Sequence, residues 1–260
     1  MVDRNIPMSL PSTSKTKSRL RIPLGEYFVR RARPKEVDFE SAYWGTIVDP
    51  DGKTRNRLEE REKHLRDIRT ELEFISQLSH GRILDIGCGL GFLLSGLDND
   101  WEKHGVEVSR FAASFASQWA DVYCGTLIEA GFPAQHFDTV VMHHVIEHIE
   151  DPIAEILEVR RVLKNGGFLI LGTPDFDSGC ARRFGENYRL LHDATHISLF
   201  TNDSMHRFLR DHGFVIDDVD YPFFNTDYFT AENLLRLFDT ANVSPPFYGN
   251  FMTFYCRKDQ

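Results

Sequence analysis

The chain has 260 residues, 42% of them hydrophobic and 27% charged, with a net charge of −9. Those proportions exclude a collagen, a low-complexity chain and a disulfide-stapled miniprotein, and the length suits one large domain or two small ones. No apolar run reaches the ~18–20 residues that cross a bilayer, and nothing at the start resembles a secretory signal.

Residues 1–35 hold nine basic and two acidic residues, a net of +7, which leaves −16 on the other 225. So acidic a body argues against a nucleic-acid partner. Residues 1–20 are rich in Ser, Thr, Lys and Pro without an apolar period and read as a disordered basic tail. Cys88, Cys124, Cys180 and Cys256 are far apart and form no C-x-x-C, as expected of reduced thiols in a cytoplasmic protein.

After the turn signal Asp49-Pro50-Asp51-Gly52, Leu58, Leu65, Ile68, Leu72 and Ile75 recur at spacings of seven, three, four and three, predicting one long helix. Residues 21–80 thus read as an N-terminal helical cap. Strands follow at Arg82–Ile86, Val106–Val108, Asp121–Cys124 and Phe137–Met142. Between the second and third, Phe111, Phe115 and Trp119 mark a helix. Asp151 as N-cap and Pro152 at the first position open another, with Ile153, Ile156, Leu157 and Arg160 on its face. Gly166-Gly167 is expected to end it before a strand at Phe168–Leu171. A helix from Thr201 to His212, stopped by Gly213, leads to strands at Phe214–Ile216 and Phe251–Cys256. Strands alternating with helices imply an α/β domain over 81–260, a mostly parallel sheet with helices on both faces.

The most informative segment is Ile83-Leu84-Asp85-Ile86-Gly87-Cys88-Gly89-Leu90-Gly91, a buried strand running into three glycines. Ligands of open α/β sheets bind at such carboxyl ends. A dinucleotide site would place a third glycine at position 92, where Phe92 stands. The G-x-G-x-G spacing with Asp85 before it suits a cofactor carrying positive charge. Glu107, at the end of the next strand, is placed to accept ribose hydroxyls.

LDIGCGLG, GVEVS, FDTVVMHHVIEHIEDP and RRVLKNGGFLILGTPD, in that order, resemble the successive motifs of class I S-adenosylmethionine-dependent methyltransferases. The resemblance covers roughly 81–216. It implies a Rossmann-like seven-stranded sheet with the last strand antiparallel, S-adenosylmethionine as cofactor and a small-molecule acceptor. By motif, Asp85, Gly87, Cys88 and Gly89 are implied to hold the methionine part. Glu107, beside Val108, is implied to take the ribose. Thr126 and Leu127 would flank the adenine, though the acid that the family often carries there is missing. His143 would approach through its backbone.

His144-Val145-Ile146-Glu147-His148 spells H-x-x-E-H, which on a helix would put His144 and His148 on one face to bridge zinc. The stretch also resembles that of ubiquinone-pathway O-methyltransferases, where two Glu and a His are associated with a divalent metal. Glu147 and His148 match and His144 departs, so a metal stands open beside plain hydrogen bonding. His192, Asp193 and His196 form a second cluster. His144, His148 and His196 are the candidate bases for a hydroxyl acceptor. The expected reaction is methyl transfer to a hydroxyl of a sugar, glycan precursor or quinone-type phenol. Transfer to nitrogen or carbon, or a binding module without catalysis, are the alternatives. The aromatic run around 223–248 (Phe223, Phe224, Tyr228, Phe229, Phe238, Phe247, Tyr248) reads as a substrate lid.

Overall fold

A computed structural model describes residues 20–34, 40–48, 54–222, 228–246 and 250–259. Residues 1–19 of the expected 1–20 tail, the turn at 49–52, and Phe223, Phe224, Phe247 and Tyr248 lie outside the described residues.

The N-terminal part is built of short pieces. They are β1 (Val29–Arg30), α1 (Ser41–Trp44), a β2 (Thr46–Val48) and β3 (Thr54–Asn56) hairpin, α2 (Arg61–Asp67) and α3 (Arg69–Ile75). The long predicted helix is therefore two, hinged at Ile68, whose φ of −102° and ψ of 22° leave the helical region. Ile68 itself is fully buried, as is Ile75, so the apolar face survives the break.

Strands and helices then alternate: β4 (Arg82–Ile86), α4 (Phe92–Gly96), β5 (Glu102–Glu107), α5 (Arg110–Ala116), β6 (Asp121–Cys124), α6 (Leu127–Ala130), β7 (Phe137–His143), α7 (Pro152–Val162) and β8 (Leu163–Pro174). After them come α8 (Gly179–Phe184), β9 (Ser198–Leu199), α9 (Asn202–Asp211), β10 (Phe214–Asp220), α10 (Ala231–Arg236) and β11 (Phe251–Lys258). Seven strands form one sheet in the order β10-β11-β8-β7-β4-β5-β6, with β11 antiparallel to both neighbours. This is the expected Rossmann-like, mostly parallel α/β sheet.

Alternation along the central strands divides the core. Leu84, Ile86, Val140, Met142, Leu169 and Leu171 face one layer with α7 and α9. Ile83, Val141 and Ile170 face the other, with α3 and α4. Both faces are covered, which is why β4 and β7 read as continuous apolar runs.

Two local expectations fail. α7 ends at Val162, because the chain turns straight into β8, and Gly166-Gly167 fall inside that strand. They occupy the bulge where the β7 pairing jumps from Leu163 to Phe168, and Gly166 takes a φ of +73°. The buried face of α7 is Glu155, Ile156, Val159 and Val162, while Ile153 and Leu157 are exposed.

Chain order along the sheet reverses at β4, with β5 on one side and β7 on the other. The crevice at their carboxyl ends is where such folds take ligands.

Candidate active site

Asp85 leads from β4 into the glycine loop. Gly87 and Gly89 have φ of +67° and +52°, in the region that glycine enters without cost. Space demands glycine as well: a Cβ at Gly87 would lie 2.5 Å from Val145 Cγ2, and one at Gly89 2.7 Å from the Trp44 indole. Cys88 is buried, and its Sγ lies beneath Gly105 of the neighbouring strand.

Glu107 ends β5 and ties this loop down. Its Oε2 accepts the Gly89 N–H at 2.9 Å and its Oε1 the Ser109 N–H at 2.8 Å. Burial raises its pKa against those bonds. Asp85 is 4% exposed, and burial, with Glu107 as its charged neighbour, pushes its carboxyl up to about 8. Among the described residues, no hydrogen bond holds its charged form down. Two buried carboxylates thus flank a loop of open backbone.

Around this loop, Val108 is half exposed and Ser109 caps α5. Thr126 caps α6 in a capping box, its N–H and hydroxyl both bonded to Glu129, and Leu127 is buried. The N-terminal segment closes over the loop: Trp44 stands on Gly89, and Glu40 accepts the Arg110 and Phe111 N–H groups at 3.2 Å.

A scan against family models matches residues 58–219 to a methyltransferase domain. The chain belongs to the class I S-adenosylmethionine-dependent methyltransferases. It is 32% identical over 155 residues to an uncharacterized methyltransferase of Schizosaccharomyces pombe, covering 52% of this chain and 55% of that one. It is 30% identical over 100 residues to a ubiquinone biosynthesis O-methyltransferase of Cereibacter sphaeroides, covering 35% and 40%. The matched part thus spans about half the length of these curated relatives or less. The fold is similar to that of an S-adenosylmethionine-dependent methyltransferase from Archaeoglobus fulgidus, with TM-score 0.58, 18% identity and coverage of 77% and 98%.

The cofactor of these methyltransferases carries an ammonium, a sulfonium and a ribose diol. The residues present fit it: an unbonded buried carboxylate at Asp85, a second at Glu107 with lone pairs left beyond its two backbone bonds, and a glycine cradle that a Cβ would fill.

Beyond the loop, β7 ends at His143. Its side chain is only 18% exposed, that burial holds its pKa well below the usual value, and its Nε2 lies 3.5 Å from Glu71 Oε1. Glu71 also accepts the Thr253 hydroxyl at 3.1 Å. His64, held by burial at about 4, completes this wall. Glu71 was legible in principle, since it lies three residues after Ile68 and four before Ile75 on the apolar face of α3.

His144 follows with a φ of +58°, rare for a residue with a side chain. Its Nδ1 lies 3.3 Å from Glu147 Oε1. Only Ile146–His148 forms a 3-10 turn, so the helix that would align His144 with His148 for zinc, as in the H-x-x-E-H pattern, is not there. Glu147 is fully buried. Burial alone would raise its carboxyl, but the His144 bond and the charges of His148, His144 and His196 outweigh it and hold it at about 2. His148 and His196 come together, ring centroids 4.9 Å apart. His192 instead pairs with the Glu186 carbonyl.

Proposed function

We propose that this methyltransferase moves a methyl group to a hydroxyl of a small-molecule acceptor, a sugar, glycan precursor or quinone-type phenol. The observation that carries this reading is the pair of buried carboxylates, Asp85 and Glu107, on either side of the glycine loop. Asp85 binds the cationic methionine end. Glu107 orients the ribose while keeping its grip on Gly89 and Ser109. Cys88, Val108, Thr126, Leu127 and the His143 backbone line the remaining cofactor surface. S-adenosylmethionine supplies a methyl group already activated on sulfur, so positioning does most of the remaining work, up to ~7–11 kcal/mol in well-aligned systems.

A hydroxyl acceptor must lose its proton. His144 is the proposed base: with Nδ1–H directed at Glu147, its Nε2 lone pair is left to take that proton. His148 and His196 stand behind it. Residues 21–80 act as a cap, residues 223–248 as a lid over the acceptor, and the basic residues 1–20 as a tail outside the chemistry. None of the four cysteines is in a disulfide, which agrees with a cytoplasmic setting. No helix among the described residues is long and apolar enough to cross a membrane. The relatives named for ubiquinone biosynthesis favour the phenol within this acceptor class.

Calorimetry with S-adenosylmethionine and S-adenosylhomocysteine tests the cofactor, and a panel of sugars and phenols scored by S-adenosylhomocysteine release tests the acceptor. Failure of the wild type to bind either ligand defeats the reading.

A further inference from the structure

The cofactor of this family brings a carboxylate to the crevice beside its ammonium and sulfonium. Asp85 and Glu107 are both acids and serve its cations and its ribose diol, so the cofactor's own carboxylate needs a hydrogen-bond donor elsewhere. Backbone N–H groups of a glycine loop are the first candidates. Here they are committed. The Gly87 and Cys88 N–H groups donate to the Val106 carbonyl at 2.7 and 3.1 Å, and the Gly91 N–H to the Cys88 carbonyl at 2.8 Å. The Gly89 N–H donates to Glu107 Oε2 at 2.9 Å.

Trp44 brings a donor from outside the loop. A Cβ at Gly89 would lie 2.7 Å from its Cη2 and 3.1 Å from its Cζ3, so the benzo edge of the indole rests on the loop. Its Nε1 is buried and has no hydrogen-bond partner among the described residues. A buried indole N–H ordinarily finds a partner. An indole only donates, so the missing partner is an acceptor. The ring is held in place from three sides. It packs on the buried cluster of Leu90, Phe92 and Ala112. It meets Tyr43 edge-on with centroids 5.2 Å apart, and the Arg57 guanidinium lies 3.9 Å from the Tyr43 ring and 5.9 Å from that of Trp44. Glu40, four residues earlier, pins the segment to α5 through the Arg110 and Phe111 N–H groups. Arg57 also adds positive charge on this side of the crevice, which favours an anionic group there.

We propose that Trp44 is a cofactor-binding residue whose indole N–H donates to the carboxylate of S-adenosylmethionine. The inference rests on the cofactor site described above and supplies the donor that its two acids do not. Trp119 is the natural control. Its Nε1 is likewise buried without a partner among the described residues, but its ring packs in the core layer of α3 and α4, against Gly91 beside Ala116 of α5.

The test compares two ligands on the full chain by calorimetry. One is S-adenosylhomocysteine; the other is its decarboxylated analogue, which keeps the adenosine, the sulfur and the amine. Trp44→Phe keeps an aromatic ring and removes the N–H. It should weaken S-adenosylhomocysteine about ten- to hundredfold, as befits a hydrogen bond to a charged group, and change the analogue by under about threefold. Trp119→Phe should leave both ligands within about threefold of the wild type, well short of a tenfold change. A second measurement uses the wild type, whose three tryptophans give three indole N–H signals in nitrogen–proton NMR spectra. One of them should move downfield with S-adenosylhomocysteine and not with the analogue, which decides the matter should Trp44→Phe misfold. Equal losses of both ligands in Trp44→Phe, no loss of either, a matching loss in Trp119→Phe, or indole signals that respond alike to both ligands overturn the proposal. Wild type that binds neither ligand overturns the cofactor reading and this one with it, whereas tight binding that ignores Trp44→Phe sinks only the role of Trp44.

Discussion

Glu107 Oε2 accepts the Gly89 N–H at 2.9 Å, so the acid at the end of β5 holds the loop at the end of β4. The same carboxylate takes the Ser109 N–H on Oε1. Glu107→Gln leaves one of these buried donors facing an amide N–H₂. That mismatch should cost ~1–3 kcal/mol of stability, read as a lower Tm. S-adenosylhomocysteine should bind at least about tenfold more weakly in calorimetry, since a tenfold loss corresponds to only ~1.4 kcal/mol. Unchanged affinity would remove Glu107 from the ribose site.

Asp85 gives the pH dependence. Burial pushes its carboxyl up to about 8 in the fold, above the ordinary carboxylate range. For an acid this sign means that ionisation opposes folding: its cost is absent below pH 4 and grows as pH rises to 8. A cationic ligand prefers the ionised form, so binding near neutral pH releases a proton. Affinity for S-adenosylmethionine should therefore rise nearly tenfold from pH 6 to 7 and about fivefold from 7 to 8, levelling off above that. Calorimetry in buffers of different ionisation enthalpy should count the proton. Asp85→Asn should bind weakly at every pH and show a flatter dependence of Tm on pH than the wild type.

Much of the fold was legible because the sheet is buried on both faces. Apolar runs such as Ile83 to Ile86 and Phe137 to Met142 mark such strands directly, and the Asp151 cap and the turn at Gly213 bound their helices. What sequence could not show was tertiary. The break at Ile68 is invisible to an apolar period, which runs through it unchanged. The Gly166-Gly167 pair reads as a stop but is a bulge within β8. In the candidate site, His144, Glu147 and His148 are neighbours in sequence, yet His196 joins them through tertiary bonds, His148 Nδ1 donating to the Thr195 carbonyl and the Ile197 N–H to the Glu147 carbonyl. Trp44 reaches Gly89 from another part of the chain altogether.

That Trp44 contact can be separated from backbone strain. Gly89→Ala meets two obstacles: a positive φ, worth ~1–2 kcal/mol for an L-residue, and the indole 2.7 Å from the new Cβ. Trp44→Ala removes the second and not the first. Gly89→Ala should thus lower Tm strongly in the wild type and less in the Trp44→Ala background, a coupling that a double-mutant cycle measures. Additive effects would show that Trp44 does not rest on the loop in solution.

His144, the proposed base, gives the last prediction. It sits at a φ of +58° with Nδ1 toward Glu147 and is a third exposed, which leaves its other nitrogen open to an acceptor. A general base contributes ~10²–10⁴-fold, so His144→Ala should lower kcat by that range with an acceptor from the panel, while the affinity for S-adenosylhomocysteine stays within about twofold, well under the ~1.4 kcal/mol of a tenfold change. An acceptor that arrives already deprotonated needs no base. Raising pH should then restore the variant's rate toward the wild type for acidic phenols and not for sugar hydroxyls, whose protons stay on in that range. Comparing the two acceptor types across pH 7 to 9 therefore checks the role of His144 and the acceptor class in one experiment.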